Sequence, residues 1–188
     1  MDPAQYKYPS PLEGYSDQAV SSLPTGINPD GKSLQNPPVT TLSKSYEEFV
    51  SPITNGERGG FDIHIYHNSG NPEHVKFAEE LHKRVRLEFP ELRIYKFWDK
   101  AVGPHTMAMF EVNLFTPAQF GAFVPWLVVN RGPLSALVHP NTNDELRDHT
   151  QRATWLGERV PIDTTLFFKS PEEMMAIREA ALRSHGKQ

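Results

Sequence analysis

Three of the eight histidines in this 188-residue chain stand in or beside strand-like segments, and a fourth follows the last of them ten residues later. They are His64, His105, His139 and His149. Neutral imidazole is the protein ligand most often used for first-row transition metals, and the chain has no cysteine that could compete for one. The sequence therefore predicts a histidine-rich metal site.

The donor set decides which metals such a site could bind. Three neutral imidazoles, or two imidazoles with Glu111, leave coordination positions vacant, and a site of this kind suits divalent iron, manganese, zinc or copper. An iron that activates dioxygen needs such vacancies, because the substrate and the gas must both bind. The residue pattern alone does not separate iron from zinc.

The elements that must position these histidines can be predicted from the spacing of apolar residues. Alternating apolar and polar residues predict strands, whereas apolar residues at helical spacing behind a capping residue predict helices. Asn71-Pro72 and Thr116-Pro117 each supply a cap followed by proline at the first helical position. We expect strands at residues 61–66, 92–98, 107–115 and 134–139, and helices at 72–89 and 117–130. The order βαββαβ predicts an α+β, ferredoxin-like antiparallel sheet with both helices on one face.

In that fold the usual strand order is 4-1-3-2, so the first strand lies between the third and the fourth. Side chains alternate between the two faces of a strand, and the apolar residues should face the helices. The open face then carries His64, His105 and His139, together with Glu111. This agreement predicts one cluster; the alternative is three unrelated histidines, each bonded to a nearby carbonyl. Glu111 would be a ligand, a carboxylate beside the ligands, or a cross-strand partner of Lys or Arg.

The N-terminal 58 residues differ in composition from the rest of the chain. They hold eight of the 17 prolines and few periodic apolar residues, so they cannot bury enough surface to offset the entropy lost on ordering. We expect residues 1–58 to form a flexible arm and residues 59–188 to form a single domain. The alternative is an extended strap packed on the domain and anchored by aromatic residues: Tyr6, Tyr8, Tyr15 and Phe49.

Further elements are expected after the fourth strand. A short helix or turn is predicted around residues 144–156, and a fifth strand at Thr164–Phe168. The run Ser170-Pro171-Glu172-Glu173 has the form of a capping box. It predicts a final amphipathic helix whose apolar face includes Met174, Ile177 and Ala181.

The overall composition excludes several classes of function. A net charge of −4 with dispersed Lys and Arg gives no pull toward nucleic acid or an anionic membrane. No apolar run is long enough to span a bilayer or to form a secretory signal. We therefore expect a cytoplasmic protein that binds neither nucleic acid nor membrane. The other histidines are expected to be solvated or capping residues: His67, His74, His82 and His185.

Four long motifs stand in order along the chain: DIHIYH (Asp62–His67), WDKAVGPH (Trp98–His105), PWLVVNRGPLSALVHPNT (Pro125–Thr142) and DHTQRATWLG (Asp148–Gly157). In these motifs the chain resembles the DOPA 4,5-dioxygenase family known from fungi and bacteria. The resemblance covers roughly residues 60–168 and implies a non-haem Fe(II) enzyme, commonly dimeric, that uses dioxygen to cleave a catechol ring beside its two hydroxyls. With L-DOPA, 4,5 cleavage would give a seco-DOPA that cyclises to betalamic acid, and 2,3 cleavage would give muscaflavin.

The resemblance also suggests roles for the histidines, and it alone adds His149 to the site. His64 and His139 are the firmer metal ligands, with His105 as the third. His149 or His105 would accept the catechol proton and later donate one, as suits a group with a pKa near neutrality. Arg131 could hold a substrate carboxylate through a bidentate fork, although an exposed arginine after the second predicted helix is the alternative. Fe(II) is the expected metal, with Zn, Cu or Mn as alternatives.

Two other functional classes fit the same sequence. One is a ferredoxin-like module that binds a metal or a small molecule without turnover. The other is a metal-free dimerisation domain of the same fold. Metal content and dioxygen uptake distinguish the three.

Overall fold

The computed structural model describes residues 6–170, 172–173 and 175–176, and the chain divides into two units, Met1–Ser43 and Lys44–Gln188. In the first unit, helix α1 spans Asp17–Ser21 behind Ser16, whose side chain accepts a hydrogen bond from the backbone N–H of Ala19. The flexibility expected of the N-terminal arm stays a prediction. No helix in the described part of the chain is long and apolar enough to cross a bilayer.

The second unit follows the predicted order of strands and helices, with additions at its C-terminal side. The predicted α+β class is confirmed, and the bounds of the long elements differ from expectation by only one or two residues. The elements are β1 Phe61–His67, α2 Pro72–Glu88, β2 Arg93–Ile94, β3 Ala108–Leu114, α3 Pro117–Asn130, β4 Ser135–Pro140, α4 Glu145–His149 and β5 Thr154–Leu156. The second predicted strand is shorter than expected, because only two of its residues keep regular pairing with β3.

The five strands form one antiparallel sheet in the order β2-β3-β1-β4-β5. The first four follow the predicted order 4-1-3-2, with β1 between β3 and β4. In this register Asp62 lies opposite His139 on β4, and His64 lies opposite Glu111 on β3. Because β1 is paired along both edges, the position of each of its side chains is fixed by the sheet.

The two long helices begin where the sequence places their caps. The side-chain oxygen of Asn71 accepts hydrogen bonds from the backbone N–H groups of Glu73 and His74. The hydroxyl of Thr116 accepts one from the backbone N–H of Gln119 at 3.1 Å. A proline follows each cap, where its missing N–H costs no helical hydrogen bond.

Both long helices pack on one face of the sheet around a single apolar core. Each large side chain buried there contributes about 1.5–3 kcal/mol relative to exposure. The fully buried members from strands and helices include Ile63, Ile65, Ala78, Val85, Phe110, Val112, Leu114, Phe123 and Leu127. Since Ile63 and Ile65 face the helices, Asp62 and His64 face the opposite side of the sheet, as the alternation predicts.

The predicted fifth strand at Thr164–Phe168 is wrong, because this segment is a 3-10 helix. The Asp163 carboxylate accepts hydrogen bonds from the backbone N–H and the hydroxyl of Thr165, at 3.1 and 2.6 Å, and this cap starts a helical turn. The fifth strand is instead β5, which pairs with β4. It lies in the stretch where a helix or turn was expected, and α4 occupies the beginning of that stretch.

The capping box near the C-terminus forms as predicted. The backbone N–H of Ser170 donates to Glu173 Oε2 at 2.8 Å, and the backbone N–H of Glu173 donates to the Ser170 hydroxyl at 3.2 Å. Residues 172–173 and 175–176 are helical. The apolar positions expected further along this helix, Met174, Ile177 and Ala181, lie outside the described residues.

Candidate functional site

Four histidine rings meet on the face of the sheet that the long helices leave open. His64 stands on β1, His139 on β4 and His149 at the end of α4. With His105 they form what we call the histidine cluster, and the four side chains are only 2–7% exposed. The parity argument therefore placed His64, His105 and His139 on the correct side of the sheet.

His105 reaches the cluster from a loop and not from a strand. It was expected to open the third strand, but β3 begins three residues later at Ala108. Gly103 adopts a positive φ of 57°, and the backbone N–H of His105 donates to the carbonyl of Val102 at 3.1 Å. This turn and an isolated bridge to Ile162 hold His105 beside the sheet.

The rings of the histidine cluster lie within contact distance of one another. Ring centroids lie 4.0 Å apart for His64 and His105, 4.0 Å for His139 and His149, 5.1 Å for His64 and His139, and 5.7 Å for His105 and His149. The diagonal between His64 and His149 is 6.2 Å. Four imidazoles at these separations can direct several nitrogens toward one point.

Backbone carbonyls fix the orientation of two rings. His139 Nδ1 lies 2.9 Å from the carbonyl oxygen of Pro140, and His149 Nδ1 lies 2.8 Å from that of Glu145. A carbonyl can only accept, so Nδ1 carries the proton in both rings, and each neutral ring keeps its lone pair on Nε2. This is the arrangement that metal-binding histidines usually adopt.

His139 Nε2, which has a free lone pair, faces a ring nitrogen of His64. Their Nε2 atoms are 3.0 Å apart. If His64 donates its Nε2 proton to His139, its buried Nδ1 has no hydrogen-bond partner. If instead Nδ1 carries the proton, this nitrogen lies 3.8 Å from Glu111 Oε2, and the Nε2 lone pairs of His64 and His139 face each other. A metal ion bound to the two Nε2 atoms would remove this conflict.

A buried and a partly buried carboxylate accompany the rings. Asn113 Nδ2 donates to Asp62 Oδ1 at 2.6 Å and to Glu111 Oε1 at 2.7 Å. Burial, and after it the negative charge of Glu111, raise the pKa of Asp62 to about 7. Burial also raises the pKa of Glu111. A divalent cation among neutral imidazoles would offset the charge of these two carboxylates.

Burial also decides the charge of the rings. It lowers the pKa of His105 to about 3, and it lowers the pKa of His64 and of His139 well below the ordinary value. Burial lowers the pKa of His149 in the same direction. The cluster is therefore neutral near pH 7, and neutral imidazole is the form that binds metals.

Two sets of three side chains have ligand atoms within 4.8 Å of one another among the described residues. One set is His64, His105 and His149, and the other is Asp62, His64 and His139. His64 belongs to both sets. The cluster could therefore hold a metal ion, and the particular trio of His64, His105 and His139 stays a prediction.

An apolar and aromatic wall borders the cluster. Tyr66 Oη lies 2.7 Å from His105 Nδ1, and its ring stacks on Trp155 at a centroid distance of 5.8 Å. Tyr66 belongs to a second apolar cluster on this face, with Met109, Leu137 and Val160. A planar ring bound beside the histidines would meet apolar surface here.

Asp148 anchors the short helix that carries His149. It is 2% exposed and accepts hydrogen bonds from the backbone N–H of Thr142 at 2.8 Å and from the Thr142 hydroxyl at 2.7 Å. Arg152 Nη1 pairs with it at 3.0 Å. These contacts hold α4 against the end of β4.

Arg131 and two of the remaining histidines take structural positions, and His185 lies outside the described residues. Arg131 follows α3, and its Nη1 donates to the carbonyl of Leu134 at 2.6 Å; its described hydrogen bonds do not reach the histidine cluster. His67, expected to be solvated, is 1% exposed because it ends β1 and stacks on Phe97. His82 Nε2 lies 2.9 Å from the carbonyl of Tyr95.

Sequence reasoning gave no role to three residues beside the cluster. The alternation along β1 places Asp62 and Tyr66 on the open face with His64, but it assigns them no chemistry. Asp148 stands next to His149 and four residues before Arg152, a spacing that brings two residues together on a helix. That spacing could have indicated the anchor, but nothing in it named Thr142 as the partner.

Comparison with known proteins gives consistent matches. A model of the Dopa 4,5-dioxygenase family matches residues 61–166. The chain is 59% identical over 182 residues to an uncharacterized 21.2 kDa protein of Botryotinia fuckeliana, covering 93% of this chain and 98% of that protein. It is 32% identical over 182 residues to a DOPA 4,5-dioxygenase of Amanita muscaria, covering 92% of this chain and 78% of that protein.

One solved structure is also similar. It is the crystal structure of a protein from Nostoc punctiforme named a "putative dioxygenase", with 32% sequence identity and a TM-score of 0.49. The match covers 61% of this chain and 95% of that one.

Proposed function

Because this chain belongs to the Dopa 4,5-dioxygenase family, we propose that it is a metal-dependent extradiol dioxygenase that cleaves a catechol, with L-DOPA as the preferred substrate. The observation that carries the proposal is the pair of buried, neutral rings of His139 and His149, whose Nδ1 protons are held by carbonyls. This leaves the Nε2 lone pair of His139 for a metal and that of His149 for a proton. Cleavage at the 4,5 bond would give a seco-DOPA that cyclises to betalamic acid. Cleavage at the 2,3 bond would give muscaflavin.

The proposed metal ligands are His64, His139 and His105, and Fe(II) is the preferred ion over Zn, Cu or Mn. His64 has the strongest support, because it belongs to both compact donor sets. Glu111 stands beside His64 Nδ1 and would stabilise the proton that this nitrogen carries when Nε2 binds metal. When bound, Fe(II) supplies Lewis acidity to the catechol and a route for electrons from the ring to dioxygen.

His149 is the proposed proton acceptor. Its Nδ1 is committed to the carbonyl of Glu145, so Nε2 is the atom that takes the catechol proton. Because burial lowers the pKa of this ring, the proton is held weakly and can be returned to the reacting ring. His105 is the second candidate for this work, since its Nδ1 meets the hydroxyl of Tyr66.

The residues around the rings keep water out. Tyr66, Met109 and Leu137 are each no more than 3% exposed and line the face beside the cluster. Exclusion of water strengthens the electrostatic interactions of a bound catecholate and limits side reactions. An apolar wall also favours an aromatic ring over a polar one.

Anaerobic loading with Fe(II), followed by dioxygen and L-DOPA, tests the proposal. We expect a yellow product in which mass spectrometry finds both oxygen atoms of isotopically labelled dioxygen. A folded, iron-loaded protein that is inert toward a panel of catechols would refute it.

A binding module without turnover is the second candidate, and the burial of the rings favours it. With side chains only 2–7% exposed, the cluster offers little open surface for a substrate and dioxygen together. This alternative predicts tight binding of metal or catechol with no dioxygen consumption. An oxygen electrode separates it from the dioxygenase.

A further inference from the structure

An ion pair stands at the edge of the histidine cluster, and one residue joins it to the cluster. Arg58 Nη1 lies 2.8 Å from Glu145 Oε1. The backbone carbonyl of the same Glu145 accepts the Nδ1 proton of His149 at 2.8 Å. Glu145 therefore contacts Arg58 through its side chain and the proposed proton acceptor His149 through its backbone carbonyl.

Both members of the pair are open to solvent. The side chain of Arg58 is 65% exposed and that of Glu145 is 51% exposed. An exposed ion pair contributes little net stability, so a ligand can separate it at small cost. A ligand that carries both a carboxylate and an ammonium group would replace the one lost ion pair with two new ones.

Arg58 also acts electrostatically on the interior of the site. Burial is the main cause that lowers the pKa of His64, His139 and His149, and the positive charge of Arg58 adds to it in each case. The positive charge of Arg58 is therefore close enough to act on the rings of the cluster.

Two other arginines of this unit are held by groups that a ligand cannot easily replace. Arg131 donates to the backbone carbonyl of Leu134, within the turn before β4. Arg152 pairs with the buried Asp148, which also orders the loop before α4. Arg58 instead pairs with the exposed carboxylate of Glu145, whose backbone carbonyl contacts His149, and a substrate carboxylate can match this partner in geometry and charge.

We propose that the Arg58–Glu145 ion pair binds the zwitterionic head of an amino-acid catechol, with the substrate carboxylate on Arg58 and its ammonium group on Glu145. This inference rests on the proposed function and extends it by naming the residues that would hold the charged head of the substrate. It also moves the carboxylate site from Arg131, the residue that the sequence suggested. The pair acts as a specificity determinant that leaves the ring chemistry to the histidines.

Four catechols and two variants test the inference. L-DOPA carries both charges, hydrocaffeate only the carboxylate, dopamine only the ammonium group, and 4-methylcatechol neither. Arg58→Gln should lower kcat/KM for L-DOPA and hydrocaffeate by about five- to tenfold and leave kcat/KM for dopamine and 4-methylcatechol unchanged. Glu145→Gln should lower kcat/KM for L-DOPA and dopamine and leave kcat/KM for the other two catechols unchanged. Arg84→Gln is the matched control, since Arg84 forms another exposed ion pair, with Glu88 at 2.7 Å on α2.

Anaerobic titration calorimetry of the same catechols into the Fe(II)-loaded protein separates this inference from the proposed function. In one outcome, Arg58→Gln weakens binding of only the carboxylate-bearing catechols, Glu145→Gln weakens binding of only the ammonium-bearing ones, and no ring cleavage is found. This outcome would uphold the ion pair as the head-group site and overturn the proposed dioxygenase function. Cleavage with equal effects of both variants on all four catechols would overturn the inference, because the pair would then act only by holding α4. Variants that match the parent protein on every catechol would overturn it as well.

Discussion

His64 and His139 face each other across two neighbouring strands, with their Nε2 atoms 3.0 Å apart. The His139 ring is held by a carbonyl on its other nitrogen, and the His64 ring has a carboxylate 3.8 Å from its other nitrogen. Only the His139 ring thus has its Nδ1 hydrogen-bonded, and Nδ1 of His64 has a carboxylate near it without a hydrogen bond. The geometry of the pair depends on the register between β1 and β4, and not on a flexible loop.

Replacing either ring of this pair should abolish metal retention. We expect His64→Ala and His139→Ala to lower bound iron from near one ion per chain to a small fraction, because each removes a proposed ligand from the compact donor sets. Elemental analysis after reconstitution measures this. His82→Ala is the control, since the described contacts of His82 are the carbonyl of Tyr95 and the rings of Phe97 and Phe110, outside the histidine cluster. It should leave the iron content unchanged. Normal iron content in both ligand variants would contradict the assignment.

His149→Gln should keep the metal and lose the reaction. A positioned general acid or base typically contributes a hundredfold to ten-thousandfold, so kcat should fall by about that range. Stopped-flow absorbance of the product gives kcat, and elemental analysis on the same sample gives iron content. If the iron is lost together with activity, His149 is a ligand and the proton transfer belongs to His105.

The metal-free protein should lose stability when the solution is acidified below pH 6.5. Burial lowers the pKa of His105 from 6.5 to about 3, and it lowers the pKa of the other three rings too. In that window the unfolded chain takes up protons that the folded chain excludes. Each such ring removes about 1.4 kcal/mol of unfolding free energy per pH unit.

The carboxylates of Asp62 and Glu111 oppose this trend. Burial raises the pKa of Asp62 from 3.8 to about 7 and raises the pKa of Glu111, so protonation of these groups favours the folded state as the pH falls. Four rings outweigh two carboxylates, and a net loss remains. Urea unfolding at several pH values measures it, and His105→Gln should make the dependence shallower. Unfolding free energies that rise toward pH 5 would contradict the prediction.

Asp148→Asn should destabilise the protein and weaken the site together. The substitution removes the charge that Arg152 pairs with and one acceptor that Thr142 uses, and losses of this kind cost about 1–3 kcal/mol. Chemical denaturation measures the change. Asp144→Asn is the control, because asparagine caps a helix as well as aspartate does and should change stability by only about a few tenths of a kcal/mol. Equal stability of both variants would argue against Asp148 as an anchor.

The central features of the fold could be predicted because local signals agreed with each other. Asn71-Pro72 and Thr116-Pro117 mark two helix starts, and the alternation around Ile63 and Ile65 fixes which face of β1 is buried. Once the strand order is known, the same alternation brings His64 and His139 together. The match of motifs to one family then added His149, which no periodicity could place.

Prediction failed where two interacting residues are far apart in the sequence, or where a single capping or turn residue decides the local structure. The pattern at Thr164–Phe168 suits a strand, but a single carboxylate at Asp163 caps a helical turn instead. His105 reaches the cluster because Gly103 bends the chain, and strand periodicity does not register such a bend. Arg58 lies 87 residues from Glu145, so neither residue indicates the pair by itself.

The rings of the cluster are attached to parts of the protein that differ in their resistance to local unfolding. His64 and His139 belong to interior strands paired on both edges, whereas His149 ends a five-residue helix that Asp148 ties to one loop. Segments with few buried apolar contacts open at a fraction of the global unfolding free energy. Backbone amides of α4 should therefore exchange with solvent faster than those of β1 and β4. Transient detachment of this helix would admit a substrate past His149 while the two strand histidines keep their spacing.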